Sequence, residues 1–403
     1  MGNVKQKTRI FTSEQVSPGH PDKLADQISD AFVDAYYNLD NSTDTRVAVE
    51  TLLKGNMVVI AGEVSCKSEE KVDHEDIVRK VLKRNRYTKE ISPDFNDENV
   101  IILDLISEQS KDIATCVNAT HTKEIGAGDQ GIMFGYAVNE APDKTGWCHY
   151  LSRLLVFHLY RKFIIKDNCA KYRPDFKVQV TCEYSEGKVA IKVVNVSISH
   201  SKDVSLLEVR NEIFDYVLRV LKNEIEYGSI KGHSMLNGDG DILTLDDIKI
   251  TVNANGPFTV FGPIADAGVT GRKIVCDQYG GYAPVGGGAF SGKDLTKIDR
   301  TAAYTAKIIS DLMLDEIPDA YSVQTNVSYI IGNPQPVSVD FICTFNDGSV
   351  EHYSGDESDK EMLSMKEMLS SEMKDLLSGN YSKLSAGCHF GDYDGTVIFD
   401  GVE

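Results

Sequence analysis

Val47-Ala48-Val49-Glu50-Thr51-Leu52-Leu53, then Lys54-Gly55-Asn56, then Met57-Val58-Val59-Ile60-Ala61-Gly62-Glu63-Val64, read as two strands and the turn between them. Upstream, residues 21–39 carry Leu24, Ile28, Ala31, Phe32 and Ala35 at the spacing of a buried helical face. Downstream, the pattern predicts a helix over 74–85 and a strand over 100–106. One third of the chain therefore offers paired strands and two helices.

The same inventory recurs twice. Residues 112–125 are polar, lack apolar anchors and read as a mobile lid loop. Beyond them, the apolar run Gly131-Ile132-Met133-Phe134-Gly135-Tyr136-Ala137-Val138 opens a second stretch. A helix is predicted over 150–166, strands over 177–184 and 188–199 joined at 185–187, and a helix over 205–225. The third stretch starts near Phe258, with a helix over 301–314, strands over 322–332 and 337–345 around Asn333-Pro334, and a helix over 361–377. Antiparallel sheets with helices stacked on one face satisfy this inventory best. The predicted class is α+β: three related domains, 8–111, 126–257 and 258–396, each a mostly antiparallel sheet with helices on one face, in a pseudo-threefold arrangement.

Charge and cysteine content narrow the function. The 403 residues carry a net charge of −19, which argues against nucleic acid or an anionic membrane as partner. The opening residues have no apolar segment of a secretory signal, Gln6 stands where myristoylation wants Ser or Thr, and no apolar run approaches the ~18 residues of a membrane span. The eight cysteines show no CxxC pair, so they read as buried thiols of a cytoplasmic protein, with neither a disulfide framework nor a zinc site.

Against that acidic background, cations gather on glycines. Gly286-Gly287-Gly288-Ala289-Phe290-Ser291-Gly292 leads into Lys293, Asp294, Lys297, Asp299 and Arg300, and Gly268-Val269-Thr270-Gly271 leads into Arg272-Lys273. Glycine turns bring backbone N–H groups close to a ligand, and lysines beside carboxylates suit a polyphosphate held with a divalent metal. Two familiar nucleotide motifs fit only on paper. Residues 287–293 spell GxxxxGK, but Asp294 follows where a P-loop needs Ser or Thr, and no strand pattern precedes. Gly126-Ala127-Gly128-Asp129-Gln130-Gly131 spells GxGxxG, but a loop precedes it and a strand follows, the reverse of a dinucleotide fold. Asp129 stays a candidate as a carboxylate on a glycine turn. Asp22 falls in a first helical turn, where it either complements the dipole or, with His20, meets phosphate and magnesium. Glu50 and Glu63 lie in strand runs, where a buried carboxylate needs a partner or metal and a surface-facing one does not.

Phe11-Thr12-Ser13-Glu14-Gln15-Val16-Ser17-Pro18-Gly19-His20-Pro21-Asp22-Lys23, followed by Asp26-Gln27-Ile28-Ser29-Asp30-Ala31, resembles the opening signature of the S-adenosylmethionine synthetases, or methionine adenosyltransferases. Residues 126–136 resemble that family's hexapeptide motif and residues 286–300 its glycine-rich motif. Similarity runs from about residue 8 to 391.

The resemblance implies a set of roles. His20, Lys177, Arg272, Lys273, Lys293 and Lys297 would surround the triphosphate of ATP and act in catalysis. Asp129, Asp175, Phe258, Asp266 and Ala289 would complete the ATP site. Glu63, Gln109, Asp266 and Lys297 would meet L-methionine. Asp22 and Asp299 would hold magnesium, two ions per site, and Glu50 would belong to a potassium site. Residues after Gln109 would form a gate. The implied reaction joins methionine to ATP at C5′ and hydrolyses the released triphosphate. A homodimer with shared sites, possibly a dimer of dimers, is also implied. The chain departs from the family pattern at Lys111, Pro257 and Asp392, where proline, arginine and arginine are usual. The alternatives are a P-loop ATPase and a non-catalytic regulatory subunit of the same fold.

Overall fold

The computed structural model describes residues 8–40, 45–109, 125–185, 188–227, 243–245, 247–370, 381–387 and 389–390. The hairpin is present as β2 (Arg46–Lys54) and β3 (Met57–Ser65), with Glu50 opposite Ala61 and Lys54 opposite Met57. Among the described residues there are three sheets, of five, four and four strands. The first contains β1 (Arg9–Val16), β6 (Tyr172–Ser185), β7 (Lys188–His200), β8 (Leu243–Thr244) and β9 (Lys249–Val252). The second runs β10 (Gly268–Val269), β2, β3, β4 (Ile101–Glu108). The third runs β13 (Val350–Ser354), β12 (Ser338–Phe345), β11 (Ala320–Tyr329), β5 (Gly131–Val138).

Each sheet is covered by a helix with an apolar stripe. α1 (Pro21–Asp40) lies on β2, with Leu24, Ile28 and Phe32 fully buried. α2 (His74–Arg84) packs on α1, and α3 (Trp147–Leu159) covers β1 and β6. α4 (Leu206–Tyr227) packs on β9. Two single-turn helices, α5 (Gly262–Ala265) and α6 (Ile274–Asp277), frame the second sheet's short edge strand. α7 (Ile298–Glu316) covers β5 and β11. The α+β reading with layered helices holds. Among the described residues no helix is long and apolar enough to cross a membrane.

The sheets do not keep to the sequence thirds. β1 from the first third pairs with β6 of the second, β5 of the second pairs with β11 of the third, and β10 of the third pairs with β2 of the first. Nor is pairing antiparallel throughout. β4 runs parallel to β3, and β8 and β9 run parallel to β7, because α2 and α4 respectively intervene as crossovers. The strands β1, β8, β9, β10 and β13 are additions to the predicted set.

Two predicted helices change form. The segment 160–166 continues α3 as a π-helix. The helix predicted from residue 361 is broken into α8 (Glu357–Met362) and α9 (Met365–Met368). Leu363 is fully buried at the break, its carbonyl accepts from Tyr329 Oη at 2.7 Å, and Ser364 caps α9 by accepting from the Glu367 N–H. Burying Leu363 and capping a new helix outweighs continuing one. The lid loop 112–125 lies outside the described residues except for Ile125, as do Lys111, Asp392 and residues 371–377.

Among the described residues, one face of the second sheet is left uncovered. Leu52, Met57, Ile101, Leu103 and Leu105 point outward and are exposed. Glu50 and Glu63 share that face, since residues two apart on paired strands lie on one side.

Candidate functional site

Helix α1 is the spine of the site. Asp22, Asp26, Asp30 and Asp34 recur every four residues and so fall on one helical face. Asp22 Oδ1 accepts the Val269 N–H at 2.9 Å, Asp26 Oδ1 that of Gly271 at 2.8 Å, and Asp30 Oδ1 that of Gly292 at 2.7 Å. Asp34 accepts from the N–H groups of Tyr381 and Ser382. Both cation-bearing loops thus hang from one row of carboxylates. Sequence reasoning singled out Asp22 and passed over the other three, although their fourfold spacing in a buried helix was the available signal.

The loops also zip onto one edge of β2. Thr270 donates its N–H to Thr51 O at 3.1 Å, and Val49 donates to Gly292 O at 2.9 Å. Lys293 makes an isolated bridge to Ala48, and Asp294 Oδ2 accepts the Val47 N–H at 2.8 Å. Two glycines are required here. Gly292 has φ of 81°, and a Cβ on it would lie 1.9 Å from Val49 O. A Cβ on Gly288 would lie 2.0 Å from Asp299 Cγ.

The first group of predicted residues gathers near Asp22, except Phe258, which is shown only against His200. Lys273 Nζ lies 2.5 Å from Asp22 Oδ2, and Arg272 Nε 3.7 Å from Oδ1. His20 Nδ1 accepts the Asp22 N–H at 3.1 Å, so its proton sits on Nε2, a donor free to face an anion. Burial, with Lys273 and Lys177 nearby, pushes the His20 imidazole down to about 2. Lys177 stands on β6 opposite Val16. Asp175, two residues earlier, accepts the Gly262 N–H at 2.8 Å, and burial raises its carboxyl to about 6. Asp266 follows α5 on the surface, within electrostatic reach of both His20 and Asp175. Phe258 is pinned by its backbone to His200, whose N–H donates to Phe258 O at 2.9 Å.

The second group lies on the glycine-rich loop and on the turn and strand end beside it. Lys293 Nζ lies 2.5 Å from Asp299 Oδ2, and Lys297 Nζ 2.6 Å from Asp294 Oδ2. Ala289 meets Gly271, where a Cβ would approach it to 2.4 Å, so the two loops touch. The turn bearing the exposed Asp129 passes Thr296, whose carbonyl lies 3.5 Å from a Cβ built on Gly128. Gln109 follows β4 and donates its N–H to Val64 O, next to Glu63. Val269 pairs with Leu52 and Lys293 with Ala48, so the two groups lie four residues apart along β2. At roughly 3.3 Å per residue that is about 13 Å.

Asp22 and Asp299 each present one carboxylate with an ammonium at 2.5 Å, which marks the place a cation takes. Among the described residues no three His, Cys, Asp or Glu side chains form a metal cage. Single carboxylates suit magnesium, which draws its other ligands from phosphate and water. The residues fit the ion.

The neutral His20 has a consequence for stability. The unfolded chain protonates this histidine below about pH 6.5 while the folded chain does not until about 2. Its contribution is complete above 6.5 and is lost as pH falls, by about 1.4 kcal/mol per pH unit. The stability difference between the unliganded protein and its His20→Gln variant should therefore shrink by that slope between pH 6.5 and 4.5 in urea titrations. A difference independent of pH would mean that His20 is charged in the fold.

Three family models match in order: the N-terminal domain of S-adenosylmethionine synthetase over residues 8–111, its central domain over 124–258 and its C-terminal domain over 260–398. An S-adenosylmethionine synthase of Pseudothermotoga lettingae is 38% identical over 98% of this chain and 97% of its own length. One of Helicobacter hepaticus is 39% identical over 96% of this chain and 94% of its own. Matched over most of its length by the three domain models and by these relatives, the chain belongs to the S-adenosylmethionine synthetase family.

Proposed function

We propose that the methionine sulfur attacks C5′ of ATP, forming the S–C bond as the C5′–O pair departs with the intact triphosphate, which is then hydrolysed to diphosphate and phosphate. The chain is a methionine adenosyltransferase, and S-adenosylmethionine synthesis is its activity. The observation that carries the mechanistic reading is the pair of lysine–carboxylate couples, Lys273–Asp22 and Lys293–Asp299, on two loops fixed to one helix and one strand.

A thioether has no proton to lose, so the attack needs no general base. The barrier lies in alignment and in the charge growing on the leaving triphosphate. Lys177, Arg272, Lys273, Lys293 and Lys297 supply cations for that charge, and His20 supplies an Nε2–H donor. Asp175, Phe258, Asp266, Ala289 and Asp129 line the nucleotide side. Glu63, Gln109, Asp266 and Lys297 serve methionine, and the carboxylates suit a sulfonium product. Asp22 and Asp299 would hold magnesium, two ions per site, whose charge would offset that of the phosphates, and Glu50 would offer an oxygen to potassium. Asp299→Asn should raise the magnesium midpoint of activity severalfold with an unchanged circular dichroism spectrum. An unmoved midpoint would leave Asp299 only a helix-end role. The uncovered apolar face of the second sheet supports a homodimer, which two such dimers could extend.

The P-loop alternative lacks its frame. Residues 278–292 run as turns and loop, with no strand before the glycines, and α7 opens only at Ile298. The regulatory-subunit alternative expects lost charges, yet every proposed lysine and carboxylate is present. The deciding assay supplies ATP with and without L-methionine and follows sulfonium product and phosphate. Phosphate release that ignores methionine would overturn the proposal.

A further inference from the structure

The glycine-rich loop is closed from behind by a circuit of buried side chains, one of which comes from the far end of the chain. The Gly292 N–H donates to Asp30 Oδ1, and Asp30 takes two bonds from Arg300, 2.8 Å from Nη1 and 2.6 Å from Nη2. Arg300 Nη1 also donates to the carbonyl of Lys293 at 2.9 Å. Arg300 Nε lies 3.3 Å from Tyr304 Oη, Tyr304 Oη 2.7 Å from His389 Nδ1, and His389 Nε2 3.4 Å from Ser291 Oγ. Ser291 precedes Gly292, so the circuit returns to its start. None of the side chains of Asp30, Ser291, Arg300, Tyr304 and His389 is more than 4% exposed.

The direction of the hydrogens follows from chemistry. A guanidinium only donates, so Tyr304 Oη accepts from Arg300, and the His389 tautomer that gives the tyrosine proton a partner is the one whose Nδ1 accepts it. Burial, with Lys23 and Arg300 nearby, keeps His389 neutral. A neutral ring that accepts at Nδ1 donates at Nε2, here toward Ser291 Oγ. The ring also lies edge-on to Phe290, with centroids 5.3 Å apart. Phe390 stacks on Tyr279 at 5.4 Å and meets Phe290 at 5.6 Å.

We infer that His389 is a positioning residue for the phosphate-binding loop: through Ser291 it fixes the backbone that presents Lys293. This inference rests on the proposed reading of that loop as the triphosphate site. A positioning role predicts an effect on ATP that simple packing does not. His389→Phe keeps an aromatic ring against Phe290 but breaks both hydrogen bonds, and Tyr304→Phe breaks the same chain one link earlier. Each should lower kcat/KM for ATP by about tenfold or more, the scale seen when the hydrogen-bond partners that orient metal-ligating side chains are removed. KM for methionine should stay within about twofold. The double variant should be no worse than either single one, because both cut one chain. His389→Gln, which restores an N–H near the Nε2 position, should recover part of the loss.

Wild-type kcat/KM for ATP in folded His389→Phe, or losses that multiply in the double variant, would overturn the inference. Should His389→Phe fail to fold, Ser291→Ala provides the same test at the last link, with the same ATP-specific loss expected and a wild-type value overturning the role. Lys293→Ala separates the two levels. If it impairs activity while the His389 and Ser291 variants do not, only the positioning role falls. If it too is without effect, the reading of the loop falls.

Discussion

Lys293→Ala is expected to lower the rate of S-adenosylmethionine synthesis by about 10² or more, the usual scale for one preorganised group facing developing negative charge. The size of the effect follows from how firmly the lysine is held. Its backbone bridges Ala48, its carbonyl accepts from the buried Arg300, and its ammonium lies 2.5 Å from Asp299 Oδ2. An ammonium already aimed requires little reorganisation as the triphosphate leaves. Truncation also leaves Asp299 without this cation, which sets an uncompensated carboxylate beside the phosphates. Steady-state rates at saturating ATP and methionine, with circular dichroism as a check on folding, give the answer. A folded variant that keeps half or more of normal turnover removes Lys293 from the site.

Mixing two inactive variants, Asp22→Asn and Lys293→Ala, should restore activity if each site is assembled from two chains. Within one chain the Asp22 and Lys293 groups lie about 13 Å apart along β2 by the strand rise. They sit beside a sheet whose outer face exposes Leu52, Ile101, Leu103 and Leu105. A face of this kind gains free energy by pairing with a second copy, roughly 25 cal/mol for each Å² of apolar surface covered. In a mixed dimer with shared sites, one site collects both lesions and the other neither, so up to half of the sites in each mixed dimer recover. If each chain owns a complete site, none recovers. Subunit exchange confirmed by mass spectrometry of tagged chains, with activity still absent, would rule out sharing.

Much of the fold was legible because its signals are local. The turn at Lys54-Gly55-Asn56 and the apolar run at 131–138 specify strands wherever they lie in space. The break at Leu363 was not legible, because it depends on Tyr329 and Pro334, which meet it only in the folded protein. The same division holds at the site. Lys273 and Lys293 stood out as cations on glycine turns in an acidic chain. Asp26, Asp30 and Asp34 did not, since a carboxylate on a helix ordinarily reads as surface. Their work is to receive N–H groups from residues more than two hundred positions away, and only the fold shows that.

The borrowing of strands between sheets bears on how the chain must be made. Thr12 in β1 meets Thr181 across 169 residues, and Val47 meets Asp294 across 247. A ribosome releasing this chain exposes β1 and the β2 edge long before their partners are synthesised. Closing such long loops costs entropy that is recovered only when both ends arrive, so folding is slow and late. The first third should therefore emerge with open strand edges and an apolar face, the surface that holding chaperones bind. Fragments ending near residue 111 or 257 should aggregate rather than fold, and soluble, cooperatively folding fragments would show that the sheets can close without their borrowed strands.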